Sequence, residues 1–172
     1  MQPGELILLT GPSGIGKTRI MRSCLGLEPY DGHVLLHGKD CRRISKRNLS
    51  FGYAPQQPFY LKDLSVYDNI MLPDRLRKTQ SDTSIIERIG LKDTGRKPEF
   101  LSEGEHKRLS FARAWMGNPR IVFLDEPLSG LDPEASKKVL ETLLHLIQST
   151  HTAACCITHQ PIHFANRTYF IE

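Results

Sequence analysis

A chain of 172 residues, 39% hydrophobic and 24% charged, has the composition of one globular domain with a core of its own. Its net charge of +4 suits an anionic ligand without demanding nucleic acid, and no nucleic-acid partner is expected. No signal peptide opens the chain and no apolar run approaches the ~20 residues that span a bilayer, so any membrane role is expected to come through a partner. Cys24, Cys41, Cys155 and Cys156 show no C-x-x-C spacing, and Cys155 and Cys156 read as buried thiols of a reducing compartment. Cys155 and Cys156 are neighbours in an apolar run, so a strand there would face them to opposite sides.

The first predicted element is a buried strand, Leu6-Ile7-Leu8-Leu9. Gly11, Pro12, Ser13, Gly14, Ile15, Gly16, Lys17 and Thr18 follow as G-x-x-x-x-G-K-[ST], the phosphate-binding P-loop. Thr18 to Leu25 reads as a helix with Ile20, Met21, Cys24 and Leu25 on one side and Gly26 at its end. The motif therefore has the strand–loop–helix context its chemistry needs. Glycines let backbone N–H groups turn around an anion, and the helix start adds partial positive charge. Lys17 brings a full charge to terminal phosphates, and the Thr18 hydroxyl is suited to Mg²⁺.

Glu28 to Gly32 reads as a turn, and His33 to His37 as a short strand closed by Gly38. His33 and His37 read as ordinary strand-end residues. Arg42, Arg43, Lys46 and Arg47 form the densest basic run and read as solvated surface. Asn48 to Ala54 reads as a strand running into the stiff polar loop Tyr53-Ala54-Pro55-Gln56-Gln57-Pro58, where Gln56 is placed to reach a ligand. Phe59 to Arg77 is apolar and broken by prolines. Ser81 to Gly90 reads as a helix with Ile85, Ile86 and Ile89 at helical spacing. Residues 61–109 are expected to form a small helical subdomain, and residues 1–60 and 110–172 the catalytic core of a single domain spanning 1–172.

Leu101-Ser102-Glu103-Gly104-Glu105 opens another helix, and Ser102 with Glu105 matches the S-x-x-E capping box. Leu109, Phe111, Ala112, Trp115 and Met116 give it a buried face. The cap explains the pentapeptide by itself, although such a helix start also offers N–H groups to an anion. Ile121 to Leu124 is an apolar strand ending in Asp125-Glu126-Pro127. Two carboxylates at the end of a buried strand are costly without partners. Below a P-loop the obvious partner is Mg²⁺, with Asp125 binding through its water shell and Glu126 free to polarise a water. The alternative is a strand that leaves into a polar turn. Asp132 suits an N-cap and Pro133 the first helical position, ahead of the stripe Val139, Leu140, Leu143, Leu144, Ile147. Ala153 to Thr158 reads as a strand with His159 at its end, and Thr168 to Ile171 as an edge strand.

Taken in order, P-loop, glutamine loop, Leu101-Ser102-Glu103-Gly104-Glu105, Asp125-Glu126, Ser129-Gly130-Leu131-Asp132 and His159 resemble the ATP-binding subunit of an ABC transporter. The resemblance runs through almost the whole chain. It implies an α/β fold: a P-loop NTPase with a RecA-like core sheet flanked by helices, plus a helical subdomain. It implies ATP and Mg²⁺ as ligands, with Gly11 to Thr18 and Gln56 binding nucleotide and Thr18, Gln56 and Asp125 serving the metal. Glu126 would be the catalytic base and His159 the residue that bonds the γ-phosphate. Ser102, Glu103, Gly104 and Glu105 would contact the nucleotide of a second subunit, and Asp132 would lie at the dimer interface. The implied partners are a second ATPase subunit, in a homodimer formed on ATP binding, and an integral membrane permease. The implied location is cytoplasmic, on the inner face of the cell membrane.

Three departures from the family pattern stand out. Glu103 replaces the usual glycine, Glu105 replaces the commoner glutamine, and only ten residues precede the P-loop. The last leads to the expectation of a reduced N-terminal antiparallel subdomain without an adenine-stacking aromatic, Tyr30 being the nearest substitute. Lys97 to Phe100 resembles importer and small bacterial exporter subunits, and Tyr53 to Leu72 resembles iron or metal exporter subunits. The competing expectations are a soluble ABC ATPase without a transport role and a weakly active nucleotide-binding module.

Overall fold

The computed structural model describes residues 1–36, 39–43 and 50–172. His37, Gly38, Lys46, Arg47 and the expected strand start at Asn48 lie outside the described residues.

Five strands make one sheet in the order β4 (Phe51–Ala54), β5 (Ile121–Asp125), β6 (Ala153–Ile157), β1 (Leu6–Thr10), β7 (Arg167–Phe170). Every pairing is parallel. β2 (Leu35–Leu36) and β3 (Lys39–Asp40) form a separate antiparallel hairpin. The strand expected to begin at His33 thus begins at Leu35, because His33 turns its ring to Asp40, 2.9 Å away.

Alternation along the strands divides the core between the two faces of the sheet. Leu6, Leu8, Val122, Leu124, Ala154 and Cys156 join the larger apolar cluster. Phe123, Cys155 and Ile157 join a smaller one with Met21. Cys155 and Cys156 are therefore buried on opposite faces, as their adjacency predicted, and both remain free thiols.

The helices are α1 (Lys17–Cys24), α2 (Val66–Arg77), α3 (Ser84–Arg88), α4 (Glu103–Trp115) and α5 (Pro133–Thr150). In α1 the buried residues are Lys17, Met21 and Ser23, whereas Ile20, expected on the buried side, is 41% exposed. The segment expected to be broken by prolines is instead the helix α2, with Pro73 inside it. Its start is fixed by Ser65, whose Oγ accepts from the Asp68 N–H at 3.0 Å. Val66, Asn69, Ile70 and Asp74 are buried, and α2 packs on α4. That packing offsets the one hydrogen bond Pro73 cannot make.

Helix α3 is shorter than predicted, because Ser81 is already committed. Its N–H and hydroxyl both donate to the Asp74 carboxylate, at 3.1 and 2.8 Å. Ile85 and Ile89 are nonetheless buried as their spacing indicated. Helix α4 carries the full capping box between Ser102 and Glu105 and runs unbroken through residues 109–110, packing on both α2 and β4. Leu109, Phe111, Ala112, Trp115 and Met116 are all buried. At α5 the Asp132 carboxylate accepts from the Ala135 N–H at 2.8 Å. The buried face of α5 includes Val139, Leu143 and Ile147 as expected, and adds Thr142 and Leu146.

Candidate functional site

In a parallel sheet all strands end on the same edge, and that edge is where open α/β sheets bind ligands. Here the P-loop follows β1, Gln56 follows β4, Asp125 ends β5 with Glu126 just after it, and His159 follows β6. The register aligns these ends: Asp125 lies opposite Ile157, Ile157 opposite Leu9, and Leu124 opposite Ala54.

The loop after β1 is built for backbone donors. Gly16, the residue before α1, has φ 104°, a left-handed conformation that favours glycine. Starts of α2, α4 and α5 are capped by Ser65, Ser102 and Asp132, but no side chain caps α1. Its first N–H groups therefore face the loop without a side-chain partner, which is the arrangement that holds a phosphate. Gly11 is fixed for a different reason: a Cβ there would lie 2.4 Å from the Ile171 carbonyl oxygen. The chain after β7 is clasped against the P-loop, with the Ile171 N–H donating to the Thr10 carbonyl at 2.9 Å.

Lys17 is 7% exposed, and its ammonium donates to the carbonyls of Gly11 at 2.9 Å and Pro12 at 2.8 Å. The charge is thus held inside the curl of the loop. The Thr18 hydroxyl donates to Asp125 Oδ1 at 3.2 Å. Asp125 is 2% exposed, and its Oδ2 has no hydrogen-bond partner. Burial pushes its carboxyl above the ordinary range, while the Thr18 hydroxyl and the Lys17 charge pull it back. A buried, half-satisfied carboxylate beside a threonine hydroxyl fits Mg²⁺, which takes one or two protein oxygens and completes its shell from water and phosphate. Among the described residues no cluster of three or more acidic, His or Cys side chains offers an all-protein metal cage.

Glu126 occupies a left-handed backbone conformation, φ 51°, and its N–H donates to the Ile157 carbonyl at 2.9 Å. That contact ties the end of β5 to the end of β6 and turns the side chain toward His159, whose Nε2 lies 3.3 Å from Glu126 Oε1. Burial raises the Glu126 carboxyl, the His159 charge lowers it, and Asp125 raises it again. Residues 11–18, Asp125, Glu126 and His159 thus share one edge, and Gln56 stands exposed in the loop beside it.

Ser102 to Glu105 are engaged elsewhere. Glu105 Oε2 accepts from the Ser102 N–H at 2.9 Å, Ser102 Oγ accepts from the Glu105 N–H at 3.3 Å, and Arg96 pairs with Glu105. Burial pushes the Glu105 carboxyl up, but these contacts bring it net below its ordinary value. No hydrogen bond joins residues 102–105 to residues 11–18 among the described residues. The start of α4 lies instead against the turn of residues 129–131. A Cβ on Gly104 would be 3.3 Å from Leu131 Cδ2, and one on Gly130 would be 3.5 Å from Glu103 Oε1. Lys107, which carries no sequence motif, is buried here and donates to Ser129 Oγ at 2.8 Å. Tyr30 is engaged as well, with the Arg42 guanidinium 5.1 Å over its ring.

Residues 1–129 match the family model described as ABC transporter. Over 97% of its length the chain is 34% identical to the phosphonates import ATP-binding protein PhnC of Hydrogenovibrio crunogenus, covering 70% of that protein. It is 32% identical over 92% of its length to the sulfate/thiosulfate import ATP-binding protein CysA of Pseudomonas syringae pv. tomato, covering 52% of it. The chain thus spans about half the length of the CysA relatives it matches. Its fold superimposes on the dimeric post-hydrolysis structure of the ATP-binding cassette MJ0796 bound to ADP and Pi with a TM-score of 0.88, at 22% identity, covering 100% of this chain and 83% of that one. A second dimeric MJ0796 structure gives the same TM-score. These likenesses establish the P-loop NTPase fold, a parallel sheet flanked by helices.

Proposed function

The chain belongs to the ABC transporter family, and on that premise we propose that it binds and hydrolyses ATP to power transport through a separate membrane-spanning partner. The observation that carries the proposal is the meeting of two side-chain pairs, Thr18 with Asp125 and Glu126 with His159, on the edge that also holds Lys17. The uncapped N–H groups of α1 and the Lys17 ammonium take the phosphates. Thr18, Asp125 and Gln56 hold Mg²⁺, which neutralises phosphate charge. Glu126 accepts the proton of the attacking water, and His159 bonds the γ-phosphate.

The same reading gives the remaining residues a role between subunits. Ser102 to Glu105 meet the nucleotide of a second copy, and Asp132 lies at that interface. Two copies close on ATP. No helix among the described residues is long and apolar enough to cross a membrane, which accords with a subunit that works from the cytoplasmic face of its permease.

Phosphate release from ATP, with and without Mg²⁺, tests the proposal. The Glu126→Gln variant should keep its nucleotide affinity and lose roughly 10²–10⁴-fold in turnover, the contribution expected of a general base. Lys17→Ala should lose the affinity itself, roughly tenfold or more, by removing a charge-assisted phosphate contact. Undiminished turnover in Glu126→Gln would remove the assignment of the base.

A further inference from the structure

The turn that carries Glu126 is held from a side that no motif marks. Glu126 is not glycine, yet its φ is 51°, a conformation costly for a residue with a Cβ and stable only where surroundings hold it. On one side its N–H is bonded to Ile157. On the other, the chain folds back through two overlapping turns. The Ser129 N–H donates to the Glu126 carbonyl at 3.3 Å, and the Leu131 N–H to the Leu128 carbonyl at 3.2 Å. The Ser129 side chain finds no hydrogen-bond partner within that short loop. Its hydroxyl accepts instead from Lys107, which reaches it from the second turn of α4 at 2.8 Å.

Lys107 is an unusual choice for such a task. It is 8% exposed, and a buried ammonium is expensive to place without a purpose. As the i+4 neighbour of Glu103 it had an acidic partner on its own helix, the usual arrangement on a helix surface. It turns to the Ser129 hydroxyl instead. We propose that Lys107 is a positioning residue for Glu126, acting through Ser129, and that it makes the start of α4 and the end of β5 one mechanical unit within a single chain. The proposal rests on the reading of Glu126 as the base. It goes beyond that reading by giving α4 a task in the chain's own hydrolytic site as well as at a partner's.

The test compares Lys107→Met, which keeps the stem and removes the donors, with Lys107→Gln, which restores an N–H donor, and with Ser129→Ala from the other side of the bond. Two readouts are taken on the full chain: hydrogen exchange of the 126–131 amides without nucleotide, and kcat and KM for ATP. Lys107→Met and Ser129→Ala should each lose protection at 126–131. Each should also lower kcat roughly tenfold with KM within about twofold, the signature of a misplaced catalytic group. The double variant should be no worse than either single one, and Lys107→Gln should recover most of both readouts. Unchanged exchange in both Lys107→Met and Ser129→Ala overturns the proposal whatever the activity. Lost protection with unchanged kcat overturns it too and leaves the ATPase reading standing. An unaltered protein without turnover overturns the ATPase reading and this proposal with it.

Discussion

His159 and Glu126 hold each other 3.3 Å apart across the ends of β6 and β5, with the histidine side chain 55% exposed and the carboxylate only 12%. The exposed partner therefore tunes the buried one. Burial raises the Glu126 carboxyl and the histidine charge lowers it. As the proposed base Glu126 must be ionised, so turnover should be lost as pH falls through that carboxyl's pKa. Without the histidine the pKa rises further, and the loss begins at a higher pH. The acid limb of the kcat profile in His159→Gln should therefore lie to the alkaline side of the unaltered protein's, beneath a lower plateau. A limb at the same pH in both proteins would show that the pair is not coupled during the reaction.

Asp125 bears the cost of its own placement. Its carboxyl is raised by burial above its value in the unfolded chain. The unfolded chain then gives up this proton more readily than the folded one. Stability contributed at this site falls as pH rises from the ordinary carboxylate range through the raised value. Asp125→Asn removes that penalty. At pH 7 the ligand-free variant should be more stable than the parent and melt at a higher temperature. The difference should shrink toward about pH 4, near the pKa of an unperturbed Asp. Further stabilisation by Mg²⁺ with nucleotide should be lost in the variant. Thermal melts across pH, with and without ligand, measure both effects.

Gly11 cannot be enlarged. Its φ is 143°, and a Cβ there would lie 2.4 Å from the Ile171 carbonyl oxygen, which leaves no room for a side chain. Gly11→Ala should cost about 2–3 kcal/mol, the range of a strained backbone site plus a clash. The 167–171 segment should be released first, so limited proteolysis should cut there before the rest of the protein melts. A variant as stable as the parent would mean that the segment moves aside freely.

The reciprocal cap between Ser102 and Glu105 should matter without any nucleotide. Ser102→Ala removes an acceptor from the start of α4 and should lower ligand-free stability by about 1 kcal/mol. A hydroxyl whose only task is to meet a ligand would leave the ligand-free melting temperature unchanged. Chemical denaturation of the two proteins at constant m-value decides between these roles.

Much of this arrangement was legible in the sequence because it is local. Gly11 to Thr18 announces itself by spacing, Ser102 and Asp132 cap their helices as their types required, and Cys155 and Cys156 fall on opposite faces by simple alternation. Ser65 with Asp68 carried the same kind of start signal for α2. Pro73 masked it, because a proline reads as a break and the compensating contact with α4 is remote in sequence. Ile20 was misplaced because helical spacing shows which residues share a side, not which side is covered. The Glu126–His159 contact joins residues just past the ends of different strands, and its geometry came only with the register of β5 against β6. Lys107 was invisible for the opposite reason. Among the polar residues of an exposed-looking helix start, nothing in its type or position marks it as buried.

The strand order has a consequence for how the protein comes into being. Among the described residues β1, which leads into the P-loop, pairs only with β6 and β7, Leu8 lying opposite both Cys156 and Thr168. A ribosome makes both partners after β4 and β5, at roughly 5–20 residues per second. Until then the apolar run Leu6 to Leu9 lacks the strands that will shield it. Such long-range parallel pairing is slow to form and exposes strand edges in the meantime. The P-loop segment thus leaves the ribosome well before its strand partners and finds its place only after them, and a nascent chain halted before residue 150 carries a loop whose own strand has neither β6 nor β7 to pair with.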